Sequence, residues 1–240
     1  MGRNSSNHGE DFRAVLVALR EERVGRNISS STMFTGTWVA LLTKRVDRCL
    51  IGAMQTLSPN MEAITMPKLR KMLGSVDSPE CIALMRLIET QSKATLAAWA
   101  VGYAKEHYLP LYRVQCPGDG RLNKVVADCE AYLSGGGTLA LLKPVLKAAG
   151  LLAREVSGAP VAQAAARAVS VACATVQTPT NALGFLFYGA AAAAYARAGL
   201  AETAPVYDEL AGAEFRQALD SLGRAAVPGE PHPVRIQWNC

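Results

Sequence analysis

The residues of this sequence that can do acid–base or coordination chemistry are few and widely spaced. His107 directly follows Glu106 near the end of a helical pattern. The dipole there favours a cation, but no nucleophile or second ligand stands at helical spacing, so the imidazole reads as a surface group. Asp119 and Arg121 share the short loop Pro117-Gly118-Asp119-Gly120-Arg121. Asp119 is placed to cap the next helix, and Arg121 pairs back to it or points outward. Gln177 and the turn Thr178-Pro179-Thr180-Asn181 lie between two alanine-rich segments, where the hydroxyls and amides cap a helix or line a groove open to solvent. Gly184 to Gly189 has the glycine spacing of a phosphate loop. Ala190 and Ala191 stand where Lys and Ser/Thr would hold phosphate and magnesium, and no strand precedes the segment, so close helix packing at the two glycines is the better account. The six cysteines, Cys49, Cys81, Cys116, Cys129, Cys173 and Cys240, contain no Cys-x-x-Cys pair, and only His8, His107 and His232 accompany them. That set does not build a zinc site, and no cofactor is called for. Nothing along the chain assembles a nucleophile, a base and an oxyanion site.

Composition narrows the function classes further. The chain has 240 residues, of which 50% are apolar, 19% charged and 6% aromatic, which means a sizeable core built from aliphatic side chains and alanine. The net charge is +5, from 25 basic and 20 acidic residues. Residues 1–65 carry 8 Lys/Arg against 6 Asp/Glu and residues 66–240 carry 17 against 14, with no basic run, so nucleic acid is not an expected partner. The chain opens without a charged-then-apolar leader, and the longest apolar stretch, Ala182 to Ala196, falls short of the ~20 residues that span a bilayer. A cytoplasmic protein with free thiols and no membrane partner is expected.

The elements that must position the polar residues are helices. From Met66 onward, punctuation at Gly74-Ser75, Pro117 to Gly120, Ser134 to Gly137, Gly158 to Pro160 and Gly199 divides the chain into segments of about one helix each. Ser78-Pro79-Glu80 is a helix start: a side-chain acceptor, a proline at the first position and an acid facing the dipole. Ile82, Met85, Ile88, Leu96, Trp99 and Tyr103 then fall at steps of three and four, with Ser92 filling one gap, which predicts one long helix ended by Pro110. Leu122, Val125, Val126, Cys129 and Leu133 define the next, closed by Gly135 to Gly137. Helices are predicted over Lys143 to Val156, Val161 to Val176, Ala182 to Arg197 and Pro205 to Leu222, with Tyr207, Ala211, Phe215, Ala218 and Leu222 on one face of the last. Residues 141–200 contain 19 alanines, whose small side chains let helix axes approach closely. The predicted architecture is all-α: an alanine-rich bundle or array of about six helices. An extended tail, Pro231 to Cys240, should lie on the helices through Val234, Ile236 and Trp238.

Lys68 to Leu73, Ser78 to Arg86, Leu96 to Ala100, Leu109-Pro110-Leu111-Tyr112, the Asp119-Gly120-Arg121 loop, Ala174 to Gly184 and the closing Ile236 to Cys240 occur in an order that resembles a bacterial family, the putative immunity proteins of polymorphic toxin systems. The resemblance runs over roughly residues 66–240. It implies an all-α intracellular protein whose partner is a cognate toxin that it binds and neutralises without catalysis. Relatives carry histidines in the segment before the Ala-Leu-Gly triplet, where this chain has Gln177 and Asn181, a departure that argues against a metal or acid–base role there. Two other readings stay open: a small-molecule or metal-binding bundle, an enzyme among them, with a groove formed by His107, Asp119, Arg121, Gln177 and Asn181, and a helical scaffold with no dedicated ligand.

The first 65 residues lie outside the resemblance and have poor periodicity, so they are expected to be a dispensable extension, with the all-α domain beginning at Met66. The competing arrangement is a docked helix in which Phe34, Trp38, Val39, Leu41, Leu42, Val46 and Leu50 complete the core. A chain beginning at Met66 should unfold cooperatively at nearly the full-length midpoint. A drop of several degrees, or aggregation, would show that the segment covers core surface.

Overall fold

The computed structural model describes residues 69–238, in which eight helices follow one another: α1 (Pro79–Ile88), α2 (Lys93–His107), α3 (Leu109–Gln115), α4 (Arg121–Leu133), α5 (Leu139–Glu155), α6 (Pro160–Ala174), α7 (Asn181–Ala198) and α8 (Ala204–Ala225). No strand occurs among the described residues, so the all-α expectation holds. No helix there is long and apolar enough to cross a membrane. The expectations for residues 1–65, both the extension and the docked helix of Phe34 to Leu50, fall outside the described residues.

The core is built around α6 and α7. These two helices pack along each other; α6 also meets α2, α3, α4 and α5, while α7 meets α1, α2, α3 and α8. Composition explains the placement. Ala162, Ala165, Ala166, Ala168 and Ala172 of α6 and Ala182, Ala190, Ala191 and Ala192 of α7 are fully buried, and a helix that is apolar on all sides must be enclosed by others. Small side chains at the contact bring the axes together, and Ser170, buried in α6, places its hydroxyl 2.8 Å from the Ala149 carbonyl of α5. Aromatic rings fill the margin: Trp99, Tyr103, Tyr108 and Phe185 meet edge-to-face at centroid distances of 5.5 to 6.1 Å.

Only one of the two glycines of α7 is required by this packing. A Cβ on Gly189 would fall 2.0 Å from Tyr108 Cζ, so the hydroxyl end of the tyrosine lies directly on the helix backbone. At Gly184 the nearest neighbour would be Val171 Cγ1 at 3.8 Å, an ordinary contact.

The helix count rises above six because the expected long helix of residues 79–109 is two elements, α1 and α2, and a further helix, α3, follows at Leu109–Gln115. Glu89 to Gln91 break the chain, and Ser92 becomes an N-cap whose hydroxyl accepts from the Thr95 N–H at 3.2 Å. The break resets the register: α1 buries Cys81, Leu84 and Ile88, whereas Ile82 is exposed and Met85 half-buried. Beyond it Leu96, Trp99 and Tyr103 are buried as the spacing predicts. Pro110 does not end the helical run; it occupies the first turn of α3, where its missing N–H has no intrahelical partner to lose. Likewise α5 starts at Leu139, ahead of the predicted Lys143, and passes through Pro144 on its exposed side. In α4 and α8 the predicted faces are the buried ones, with Leu133 half-buried.

The polar break between α1 and α2 is where the tail docks. Gln91, 2% exposed, accepts from the Val227 N–H at 2.7 Å, and its carbonyl accepts from the Val234 N–H at 2.9 Å. Glu230 accepts from the Ser92 N–H at 2.7 Å and from the Thr95 hydroxyl, and these donors hold its carboxyl below the ordinary value. The Trp238 indole donates to Glu89 at 2.7 Å. Val234, Ile236 and Trp238 pack half-buried on the core while Arg235 and Gln237 face solvent, as their alternation requires.

Gly189→Ala should destabilise the protein by about 1–3 kcal/mol, since the added methyl displaces a fully buried ring. Gly102→Ala, in an exposed and open position of α2, should stabilise it by about 0.5–1 kcal/mol. Urea unfolding of the two variants measures both signs; equal effects would contradict the packing assigned to Gly189.

Candidate functional site

The polar residues singled out from the sequence fall into three groups with separate partners. The first surrounds His107, the last residue of α2. Its Nδ1 lies 3.2 Å from Gln217 Nε2, its ring packs at a tilt against Tyr103 with centroids 4.2 Å apart, and Glu106 Oε2 is 3.9 Å from Nε2. Next to it, the hydroxyls of Tyr103 and Tyr108 both donate to Glu214 Oε1, at 2.9 and 2.6 Å. Burial, then the Glu214 charge, pushes both phenols far above the ordinary tyrosine value, so they stay neutral donors. Sequence reasoning passed over this group because Glu214 is 106 residues from Tyr108. No local spacing connects residues that only the packing of α8 against α2 brings together.

The second group is the α3–α4 loop. Asp119 Oδ1 accepts from the Arg121 backbone N–H at 3.0 Å and from its Nε at 3.0 Å, while Oδ2 accepts from Nη2 at 2.6 Å and from the fully buried Tyr112 hydroxyl at 2.7 Å. Gly120, not Asp119, is the capping residue of α4, yet Asp119 does satisfy the first N–H of the helix from one position upstream. Arg121 pairs back to Asp119 and also reaches Glu155 of α5 at 2.7 Å. Hydrogen bonds from Arg121 hold the Asp119 carboxyl far below the ordinary range, and Asp119 in turn raises Arg121. Tyr112 is raised by burial first and by Asp119 second. A carboxylate held this way has no lone pair to offer as a general base.

The third group is the turn between α6 and α7. Thr178 and Thr180 are exposed, and Gln177 and Asn181 are half-buried. Their expected capping role is not realised. Thr180 is in the αR region, continuing the preceding turn, and its side chain makes no capping bond. The backbone does this work itself, since the Asn181, Ala182 and Leu183 N–H groups donate to the carbonyls of Thr178, Pro179 and Thr180. The buried hydroxyl of the turn belongs instead to Thr175, whose Oγ1 has no partner among the described residues.

No hydrogen bond or ion pair joins His107, the Asp119–Arg121 pair and the turn residues among the described residues. A groove of about 280 Å³ is lined by Leu69, Arg70, Tyr195, Glu202, Thr203, Ala204 and Tyr207. Another of about 260 Å³ opens between α4 and α5 at Tyr132, Gly136 to Thr138, Leu141, Leu142 and Val145. Neither includes a residue of the three groups.

Residues 86–217 match the family model described as Imm-5 like putative immunity protein, in agreement with the resemblance read from the sequence. No curated protein and no solved structure matches the chain.

Because Asp119 is held below the ordinary 3.8, its contribution is complete above that value and is lost as the pH falls through the depressed folded value. Asp119→Asn should cost about 1–2 kcal/mol near neutral pH and flatten the acid limb of the stability curve below about pH 4. Chemical denaturation across pH measures this, and parallel acid limbs would remove the assigned role.

Proposed function

We propose, for a chain that belongs to the Imm-5 like putative immunity protein family, that its task is to bind a cognate bacterial toxin and neutralise it by occupancy, without chemistry of its own. The observation that carries this reading is the family match across α1 to α8, from Arg86 to Gln217. The polar geometry supports it: Asp119 and Glu214 serve as acceptors for buried or paired donors, and Tyr103, Tyr108 and Tyr112 are held neutral. Cys81, Cys116, Cys129 and Cys173 form no disulfide among the described residues, which fits the reducing cytoplasm in which such a protein would meet an incoming toxin. In this proposal residues 66–240 form the toxin-binding domain.

Gene neighbourhood and growth rescue test the reading. A toxic domain encoded beside this gene should arrest growth when expressed alone, and co-expression of this protein should restore colony counts to the uninduced level. The purified pair should form a stable complex from which active toxin is recovered after denaturation. Continued arrest in the presence of the folded protein, or permanent chemical inactivation of the toxin, would contradict neutralisation by occupancy.

A further inference from the structure

Charge is segregated along this domain in a way that the balanced totals conceal. Residues 131–201 contain five basic residues, Lys143, Lys147, Arg154, Arg167 and Arg197, and a single acid, Glu155. Residues 202–240 carry six acids against three bases. The fold carries the imbalance to opposite edges: packing proceeds from α5 through α6 and α7 to α8, with α5 resting mainly on α4 and α6 and α8 on α7 and α1.

The outward face of α5 has an unusual composition for a solvated helix. Steps of four and seven residues put Lys143, Lys147 and Arg154 on one line. Beside them Ala140, Pro144, Ala148, Leu151 and Leu141 form an exposed apolar line, with Leu141 73% and Leu151 47% accessible. No uncharged polar side chain occurs anywhere in α5. Along its far side runs the groove of about 260 Å³ whose walls include Tyr132, Leu142 and Val145. The carboxylates close by are already engaged: Glu155 with Arg121, Asp128 with Lys124, and Glu130 with Lys105. Lys143, Lys147 and Arg154 make no ion pair or side-chain hydrogen bond among the described residues.

We infer that this face of α5, with the groove beside it, is the surface that receives the toxin, and that the toxin presents an acidic patch with a protruding apolar side chain at its centre. The inference rests on the immunity reading. Uncompensated cations steer and orient an acidic partner, and the apolar line and groove supply the desolvated centre that such interfaces need. Three cations in one line, on a helix that has no aromatic side chain of its own for base stacking, are a poor match for nucleic acid. Two exposed leucines on a helix with no Trp, Tyr or Phe are a poor match for a lipid surface. A second copy offering its acidic α8 edge would make a heterologous, head-to-tail contact, which builds rings or filaments of this chain and leaves no such edge free for a one-to-one complex.

The decisive variant is K143E/K147E/R154E, with Leu141→Asp as a second, single change and R197E/R224E/R235E as a control that reverses the same charge on exposed residues elsewhere. The probe is the toxic domain encoded by the adjacent gene. Affinity is measured by calorimetry at low and high salt, protection by growth rescue, and folding by circular dichroism and the thermal midpoint. Wild type and the control should protect and bind with salt-sensitive affinity, whereas the folded triple variant should lose about 10- to 100-fold in affinity and Leu141→Asp should also weaken it. If wild type and both α5 variants protect equally, the surface assignment falls and the immunity reading stands. If wild type itself fails to protect, the immunity reading falls and takes this surface with it. Salt-sensitive binding of wild type to phosphatidylserine vesicles, or self-association in sedimentation, abolished by the triple variant while toxin binding is unchanged, would overturn the inference in favour of a membrane or a second copy.

Discussion

The close approach of α6 and α7 is the constraint on which the rest of this structure depends. Long runs of buried alanine in both helices bring little apolar area per residue, so these stretches reach stability by packing at short range and being enclosed by neighbours. That requirement assigns places to the other elements. The helices α2, α3, α4 and α5 cover α6, and α1 and α8 close over α7. It also explains where the aromatic residues sit. Trp99, Tyr103, Tyr108 and Phe185 fill the space that small side chains leave at the margin, and Gly189 is the point where a ring replaces a side chain altogether.

Burying tyrosines in such a core creates a second demand, because each hydroxyl needs an acceptor. Glu214 serves Tyr103 and Tyr108, Asp119 serves Tyr112, and the Arg70 carbonyl serves Tyr195 at 2.6 Å. The residues that look most capable of chemistry are thereby drawn into the framework. Asp119 is ionised and saturated, and the phenols are fixed as neutral donors. The tail works by the same rule: Gln91 accepts from Val227 and Val234 while Glu230 accepts from Ser92 and Thr95, so an irregular junction becomes the anchor for the last twelve described residues, 227–238.

A domain organised in this way keeps its interior for stability and its edges for encounter. The edge helix α5 buries Leu142, Leu146, Ala149, Leu152 and Ala153 against its neighbours and leaves cations and small apolar groups outward. Neutralising a protein partner by occupancy requires complementary area and charge more than it requires reactive groups, and the distribution of charge between α5 and α8 gives the two edges opposite electrostatic character.

What the sequence determined by itself is the part governed by local rules. Period, caps and glycine stops specify an all-α chain, and the buried faces of α4 and α8 follow from residues such as Val126, Cys129, Phe215 and Leu222 spaced three and four apart. The family, too, was legible in ordered motifs that include the Asp119-Gly120-Arg121 loop. Local rules stop where two continuations are equally regular. The stripe from Ile82 to Tyr103 reads as one helix; the Ser92 cap and the tail, which donates to Gln91 from Val227 and Val234 and accepts from Ser92 at Glu230, stabilise the break that makes it two. Tertiary structure alone decided that Gly189 and not Gly184 admits a ring, that Glu214 receives Tyr108 across 106 residues, and that the turn from Thr178 to Asn181 closes through its own carbonyls. In each case the partner is distant in sequence or is the backbone itself, and neither leaves a mark in residue type or spacing.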